Sequence, residues 1–447
     1  MYQNIEGALD LKVTEKIVND YENNPSNRIV RNALSRTTLL DAIYDSSRAV
    51  STYPEFSINI ETMPVCNQMH SGRCWIFAGL NVLREIIGKK IGVKQLELSQ
   101  NYISLYDKIE KANFALESII SLAQYSPNER VFQFILNSPV SDGGQWDMFV
   151  NLIRKYGLMP KSAFPETAQS NATAQSDQLV NAIIRKFAAD AHSFAEAGKL
   201  DSVRELKDEV MEKIYHLFLN CFGVPPKEFD FEYTDNKGKY HIEERLTPMA
   251  FFEKYIGDSI LQYQSIINSP TKDKPFNQNY TVDYLGNVIE GNPINHLNLP
   301  MDRVKELIIK QLSEGQPVWF GSDVRFYRDK TSYAWDNKAF DYHAAFGVDL
   351  EFDKAKMLDY RHSAMNHAMV LTGVDIKDNK PIRWKIQNSW GNEGGIKGYY
   401  VMSDEFFDLF VYQAVVLRKY LSKAELAATS KSPIHLNPWD PMGTLAD

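Results

Sequence analysis

Cysteine is scarce in this sequence: Cys66, Cys74 and Cys221 are the only three in 447 residues. A small, odd number excludes the dense disulfide framework of small secreted domains. No C-x-x-C pair is present, so a structural zinc site would have to recruit histidines from far along the chain. No run reaches the ~18 apolar residues that a membrane helix needs. Residues 1–27 offer no apolar signal-peptide core, being interrupted by Glu6, Asp10, Lys12, Glu15 and Asp20. Positive charge is not in excess either: 49 Lys and Arg stand against 57 Asp and Glu, a formal charge of −8. That balance argues against nucleic acid as a partner held by overall charge. Internal repeats and low-complexity segments are also missing. These absences leave a chain expected in the cytoplasm, with reduced thiols and no membrane association.

What is present is ordinary for a folded chain, with 44% hydrophobic and 24% charged residues. The length exceeds the ~250–300 residues at which single cores stop growing, so one elaborated unit or two to three domains are expected.

The stretch 67–80 stands out. Cys74 follows Ser71-Gly72-Arg73 and precedes an apolar, helix-compatible run through Val82, Leu83, Ile86 and Ile87. A thiol there sits at a helix N-terminus, where unpaired N–H groups and the helix dipole favour the thiolate, which is the nucleophile. Gln68, six residues upstream, can offer a side-chain N–H to an oxygen developing charge beside the sulfur.

In chain order, residues 1–60 read as short helices around 5–21 and 38–44, separated by a polar turn at 23–27 and followed by an alternating extended stretch at 56–60. Helices are predicted from Cys74 to about Gly88 and across 103–120. Ser141-Asp142-Gly143-Gly144-Gln145-Trp146 is a tight turn before a further helix; paired glycines permit close backbone approach by an extended peptide, although on the residues alone an ordinary helix-entry turn is the favoured reading. From 170 to 299 the pattern is helical with polar faces. It includes a capping box at Ser202 to Glu205, and an apolar stripe that makes Cys221 a core thiol. A hairpin is predicted around 233–240. After a helix at 302–312, strand-like runs at 317–321, 369–374, 383–387, 399–402 and 412–417 predict an antiparallel sheet or barrel. The tail from Ser432, with Pro433, Pro438 and Pro441, reads as an extended arm.

His367 lies just before one predicted strand and Asn388 at the end of the next, so both can meet at one sheet end. Cys, His and Asn are the components of a triad in which imidazole takes the thiol proton and a side-chain carbonyl fixes its tautomer. Taken singly, each has a plainer reading: a buried Cys as a small core hydrophobe, a His as a satisfied core or surface residue, Asn-Ser-Trp-Gly as a turn. Their coincidence is what points to chemistry.

In Gln68, Ser71-Gly72-Arg73-Cys74-Trp75, Leu98-Ser99-Gln100, Gly143-Gly144, Asn366-His367-Ala368 and Asn388-Ser389-Trp390-Gly391, the sequence resembles the papain-like cysteine peptidases. The ending 437–447 and the separation of 293 positions from Cys74 to His367, against ~130–150 in simple papain-type enzymes, resemble more narrowly the bleomycin hydrolase or aminopeptidase C family. The resemblance implies an α+β, papain-like two-lobe fold: a helical lobe and an antiparallel, barrel-like lobe, with a large helical insertion and a C-terminal arm. The expected division is an N-terminal arm at 1–60, a helical lobe carrying Cys74 at 61–169, the insertion at 170–299, a β-rich lobe carrying His367 and Asn388 at 300–431, and the arm at 432–447.

It further implies Cys74 as nucleophile, His367 as base and then acid, Asn388 as orienter, and Gln68 with the Cys74 N–H as the oxyanion hole. Trp390 would shield the His367–Asn388 hydrogen bond, and Gly143 and Gly144 would pair with substrate backbone. No metal or organic cofactor is required by thiolate attack and acyl-enzyme hydrolysis. The family pattern also implies a homohexamer with the C-terminal arm in each cleft, where a terminal carboxylate holds the substrate ammonium. Removal of Asp447 to leave Ala446 is the corresponding expectation. The function so implied is an intracellular aminopeptidase of broad specificity acting on peptides with free N-termini. An endopeptidase of the same fold, or a silent hexameric scaffold or nucleic-acid-binding protein, are the competing readings.

Overall fold

A computed structural model describes residues 7–446, the side chain of Ala446 excepted. The expectation for Asp447, and part of that for the first helix, lie outside the described residues. The architecture is α+β, with the helix Cys74–Ile91 and its neighbours on one face of an eleven-stranded sheet and the helices Met301–Ser313 and Asp404–Phe410 on the other.

The helix Cys74–Ile91 is the centre of the helical part. Trp75, Ile76, Phe77, Leu80, Leu83 and Ile87 are all buried, and a helix apolar nearly all round belongs inside a core. It ends at Gly92, whose φ of 71° is left-handed, a conformation glycine adopts without a Cβ penalty. Beside it runs Gln100–Leu122, capped by Ser99, whose Oγ accepts from the Tyr102 N–H. The helix Trp146–Tyr156 completes the group. Two long helices from the predicted insertion, Ala174–Glu196 and Leu200–Phe222, pack on Gln100–Leu122.

The sheet is built around His367–Lys377, paired antiparallel with Val318–Ser322 on one side and Lys380–Gln387 on the other. The register sets His367 opposite Ser322. Beyond these strands lie Val411–Leu417 and Tyr263–Ile267 on one flank and Tyr399–Ser403 on the other. The helical and sheet layers meet where Trp319 Nε1 donates to the carbonyl of Trp75 at 3.2 Å.

The structure departs from the sequence reading in four places. Residues 23–27 are not simply a turn: Pro25–Leu34 is helical, with Asn24 accepting from the Ser26 N–H and Pro25 at the first position, where its missing N–H costs nothing. Helix Leu200–Phe222 starts ahead of Ser202, which therefore lies within the first turn and caps nothing. The segment read as helical to 299 supplies three strands of the main sheet, Tyr263–Ile267, Asn279–Val282 and His296–Asn298. The C-terminal tail is not extended throughout: Ile434–Leu436 pairs parallel with Asn279–Val282, and Pro441–Ala446 winds into a tight 3₁₀ turn, again with proline at its first position.

Candidate active site

Cys74 opens its helix without a side-chain cap, because the preceding residue, Arg73, is turned elsewhere. Its fully buried guanidinium pairs with Glu166 at 3.0 Å and donates to Ser71 Oγ. Asp142 ties the same turn from the other side, accepting from the Gly72 N–H at 2.6 Å while paired with the buried Lys108 at 2.7 Å. The turn before the sulfur is thus fixed by two ion pairs.

The strand register brings the remaining residues to this point. Ala368 donates its N–H to Cys74 Sγ at 3.4 Å, which brings the start of the strand that carries His367 to the sulfur. His367 Nε2 lies 2.9 Å from Asn388 Oδ1. The same Oδ1 accepts from the Ser389 N–H at 2.8 Å, so the amide oxygen, not its nitrogen, faces the imidazole. An acceptor there requires the proton on Nε2 and leaves the Nδ1 lone pair free. Trp390 lies over the imidazole, ring centroids 4.9 Å apart and planes inclined by 24°. Arg328 in turn sits over the Trp390 ring at 5.4 Å.

Burial governs the charges. It pushes the Cys74 thiol up to about 11, against the opposing backbone N–H groups of Ala368, Trp75 and Cys74 itself. It pulls His367 down to about 4; the Asn388 hydrogen bond resists this and the nearby positive charge of Arg328 adds to it. Each group alone is neutral at pH 7, and a lone charge on either is disfavoured. A proton passed from sulfur to imidazole creates both charges together, so that their attraction offsets the desolvation of each.

Gln68 is anchored at the same place. Its backbone N–H donates to the Ser389 carbonyl at 2.8 Å, its Nε2 to the Ser71 carbonyl at 2.6 Å, and its Oε1 accepts from Ser389 Oγ. One of the two amide N–H bonds is used by Ser71; the other has no partner among the described residues.

The glycine loop is engaged by the chain's own end. Gly144 donates its N–H to the Leu445 carbonyl at 3.1 Å, and Gln145 Nε2 reaches the Met442 carbonyl at 3.3 Å. From the other wall, the Met365 carbonyl accepts from Thr444 Oγ1 at 2.7 Å. The Gly143 carbonyl accepts from Lys111 Nζ. A Cβ on Gly144 would approach the Trp75 ring to 2.5 Å, so glycine is required there for packing alone. Cys74, Gln68, His367, Asn388 and Trp390 thus form one group. Gly143 and Gly144 pack beside Trp75 and meet residues 442–445, and Ala446 follows in the same turn. The anchors Asp142 and Ser389, the Ala368 N–H, and Arg328 were not singled out from sequence. Ser389 and Ala368 fall inside recognisable motifs and Asp142 inside the Ser141–Trp146 turn, whereas Arg328 carries no local signal.

No group of three or more His, Cys, Asp or Glu placed to hold a metal ion occurs among the described residues. No helix among them is long and apolar enough to cross a membrane.

Known proteins resemble this one along almost its whole length. A match to the Peptidase C1-like family spans residues 8–443. Aminopeptidase C of Lactobacillus delbrueckii subsp. lactis is 43% identical, covering 97% of each chain. Bleomycin hydrolase of Mus musculus is 38% identical over 87% of each. The crystal structure of PepW from Lactobacillus rhamnosis HN001 superposes with a TM-score of 0.95 at 41% identity, covering 98% of this chain and 99% of the other. The chain belongs to the Peptidase C1-like family and is a cysteine peptidase of papain-like fold.

Proposed function

We propose that the protein is a cysteine aminopeptidase of broad specificity, releasing N-terminal residues from peptides. Cys74 Sγ attacks the scissile carbonyl as its proton passes to His367 Nδ1. The oxyanion is met by the free N–H of Gln68 and by the Cys74 backbone N–H. Collapse of the tetrahedral intermediate transfers the His367 proton to the leaving amine and leaves a thioester. Water then attacks that thioester, losing a proton to His367, and the acid product departs as the proton returns to sulfur. Asn388 holds the imidazole tautomer throughout, and Trp390 shields that hydrogen bond from water.

The observation that carries the aminopeptidase reading is the hydrogen bond from Gly144 to Leu445. A backbone N–H beside the nucleophile, suited to an extended substrate, is taken by the chain's own residues, which shorten the cleft on the acyl side. Trimming of Asp447 to leave a terminal carboxylate on Ala446 would supply the charge that holds a substrate ammonium. An endopeptidase would need that space empty.

The decisive comparison is between free and N-blocked aminoacyl arylamides, with and without deletion of the residues after Gly443. The full chain should cleave only the free substrates, and the deletion should gain cleavage of blocked ones. Efficient cleavage of blocked substrates by the full chain would refute the reading.

The domain division at 60, 169 and 431 is retained as part of this proposal, with the insertion ending before the sheet strand Tyr263–Ile267 rather than at 299, as are cytoplasmic residence and a homohexamer. Support for the last comes from the helices Leu11–Glu22 and Pro25–Leu34, which bury no residue and leave Leu11 78% and Ile29 69% exposed. Such a face on an ordered helix pair suits contact with another copy. Three free thiols fit the compartment.

A further inference from the structure

Arg328 is the one guanidinium beside this site with no ion pair or side-chain hydrogen bond among the described residues. Its Nε is buried without a partner. Other arginines near the site are committed: Arg73 to Glu166, and Arg325 to Asp323 at 2.7 Å. The Asp323 carboxylate near Arg328 is taken by Arg325, Ser363 and Asn366, so it attracts Arg328 from a distance without pairing with it.

The residue is also held in place. The loop that carries it folds back on itself, with backbone pairing of Arg328 to Trp335, the Asp329 N–H to the Ala334 carbonyl, and the Asp336 N–H to the Tyr327 carbonyl. Ala334–Trp335 is itself paired to the strand Tyr399–Ser403. The guanidinium then rests over Trp390, a contact that orients it without neutralising it.

Its position defines what it can meet. Residues 442–445 and Gly144 occupy the acyl side, whereas His367, which hands a proton to the leaving amine, and Trp390 mark the leaving side. Arg328 lies one ring beyond the imidazole on that side. Extended chain advances ~3.3–3.6 Å per residue, so a group one to three residues past the scissile bond comes within its reach. We propose that Arg328 recognises a carboxylate on the leaving portion of the substrate, making the enzyme favour either short peptides, through their C-terminal carboxylate, or peptides with Asp or Glu just past the scissile bond. The planar fork matches a carboxylate, and a charge left without a counter-ion in a half-buried position gains from acquiring one. A carboxylate there also offsets the positive charge that disfavours the His367 imidazolium.

This inference rests on the reading of Cys74 and His367 as the reacting pair. The experiment compares kcat/KM within pairs of substrates: tripeptides with free and with amidated C-termini, and amidated peptides carrying Glu or Gln after the scissile bond. Wild-type enzyme should favour the charged member of at least one pair by about tenfold. The pair that responds identifies the source of the carboxylate. In Arg328→Met the ratio should fall to near one, with Arg328→Lys between. Because it is a ratio within one variant, a general loss of activity cancels. In wild type the preference should weaken at high ionic strength, a measurement that needs no variant. A ratio near one in wild type for both pairs, or a preference unchanged in Arg328→Met, would overturn the proposal. Failure of wild type to cleave an uncharged aminoacyl arylamide would instead overturn the reading of the reacting pair.

Discussion

Replacing Gln68 by alanine separates chemistry from architecture. The side-chain amide is held at both ends, Nε2 on the Ser71 carbonyl and Oε1 on Ser389 Oγ, so its remaining N–H is preorganised before any substrate arrives. Loss of one such oxyanion donor costs ~10²–10³ in kcat. The charge it meets exists only after sulfur has attacked, so the loss should fall on kcat and leave KM nearly unchanged. Ser389→Ala removes only the clamp, a single hydrogen bond worth ~0.5–1.5 kcal/mol, or a few-fold to about tenfold in rate. If Ser389 acts through Gln68, adding Ser389→Ala to Gln68→Ala should cost nothing further, a non-additivity that a double-mutant cycle reads directly. Steady-state kinetics on a free aminoacyl arylamide provide the rates. Thermal melting checks the fold, since Gln68→Ala leaves Ser389 Oγ buried and unpaired at ~1–3 kcal/mol. The reasoning fails if Gln68→Ala keeps more than about a tenth of wild-type kcat, below the range expected for an oxyanion donor. It fails equally if Ser389→Ala is as damaging in the Gln68→Ala background as in wild type.

In His367→Ala, alkylation of Cys74 by an uncharged reagent should follow a single titration near 11, as burial dictates for the lone thiol; at pH 7 only ~10⁻⁴ of it is thiolate, and a neutral-pH rate near wild type would remove His367 from the reacting pair. His296 is buried with Ser265 Oγ 2.8 Å from its Nδ1 and is pulled down to about 3 by desolvation. The unfolded chain takes up a proton below ~6.5 that the folded chain refuses until about 3, so stability should fall with falling pH across that window. Denaturation at several pH values between these limits should show His296→Gln with a slope shallower by ~1.4 kcal/mol per pH unit; parallel slopes would show that His296 does not titrate on unfolding.

Legibility followed locality. The helix from Cys74 was readable because its apolar residues are contiguous and a Gly-Arg turn precedes it. The strands around His367 and Asn388 were readable because short apolar runs alternate with turn residues. Strands Asn279–Val282 and His296–Asn298 were not, since they carry polar residues that only the folded surroundings satisfy; Asn298 Nδ2, for example, donates to the carbonyls of Ser269 and Lys274 in the loop between Tyr263–Ile267 and Asn279–Val282. The turn at Pro441–Ala446 escaped for a related reason: prolines exclude a regular helix interior but suit the first position of a single turn. Arg328 was invisible because an unpaired charge is defined by what is missing around it, and that is a property of the folded surroundings alone.

The nucleophile shows where the sequence argument needed magnitudes. A helix start favours an anion by typically 0.3–1 kcal/mol and up to ~2 in favourable geometry. Burial moves the thiol from 9.0 to about 11 even with three N–H groups aimed at it, which is ~2.7 kcal/mol against the thiolate. Desolvation therefore wins, and the helix start alone makes Cys74 a poorer nucleophile than a cysteine in water. Reactivity must come from a partner that can take up the proton, which means it depends on the register that sets His367 opposite Ser322 and Ala368 against the sulfur. A one-residue slip of that strand would turn His367 to the other face of the sheet, leaving a buried, neutral thiol with every motif in the sequence intact.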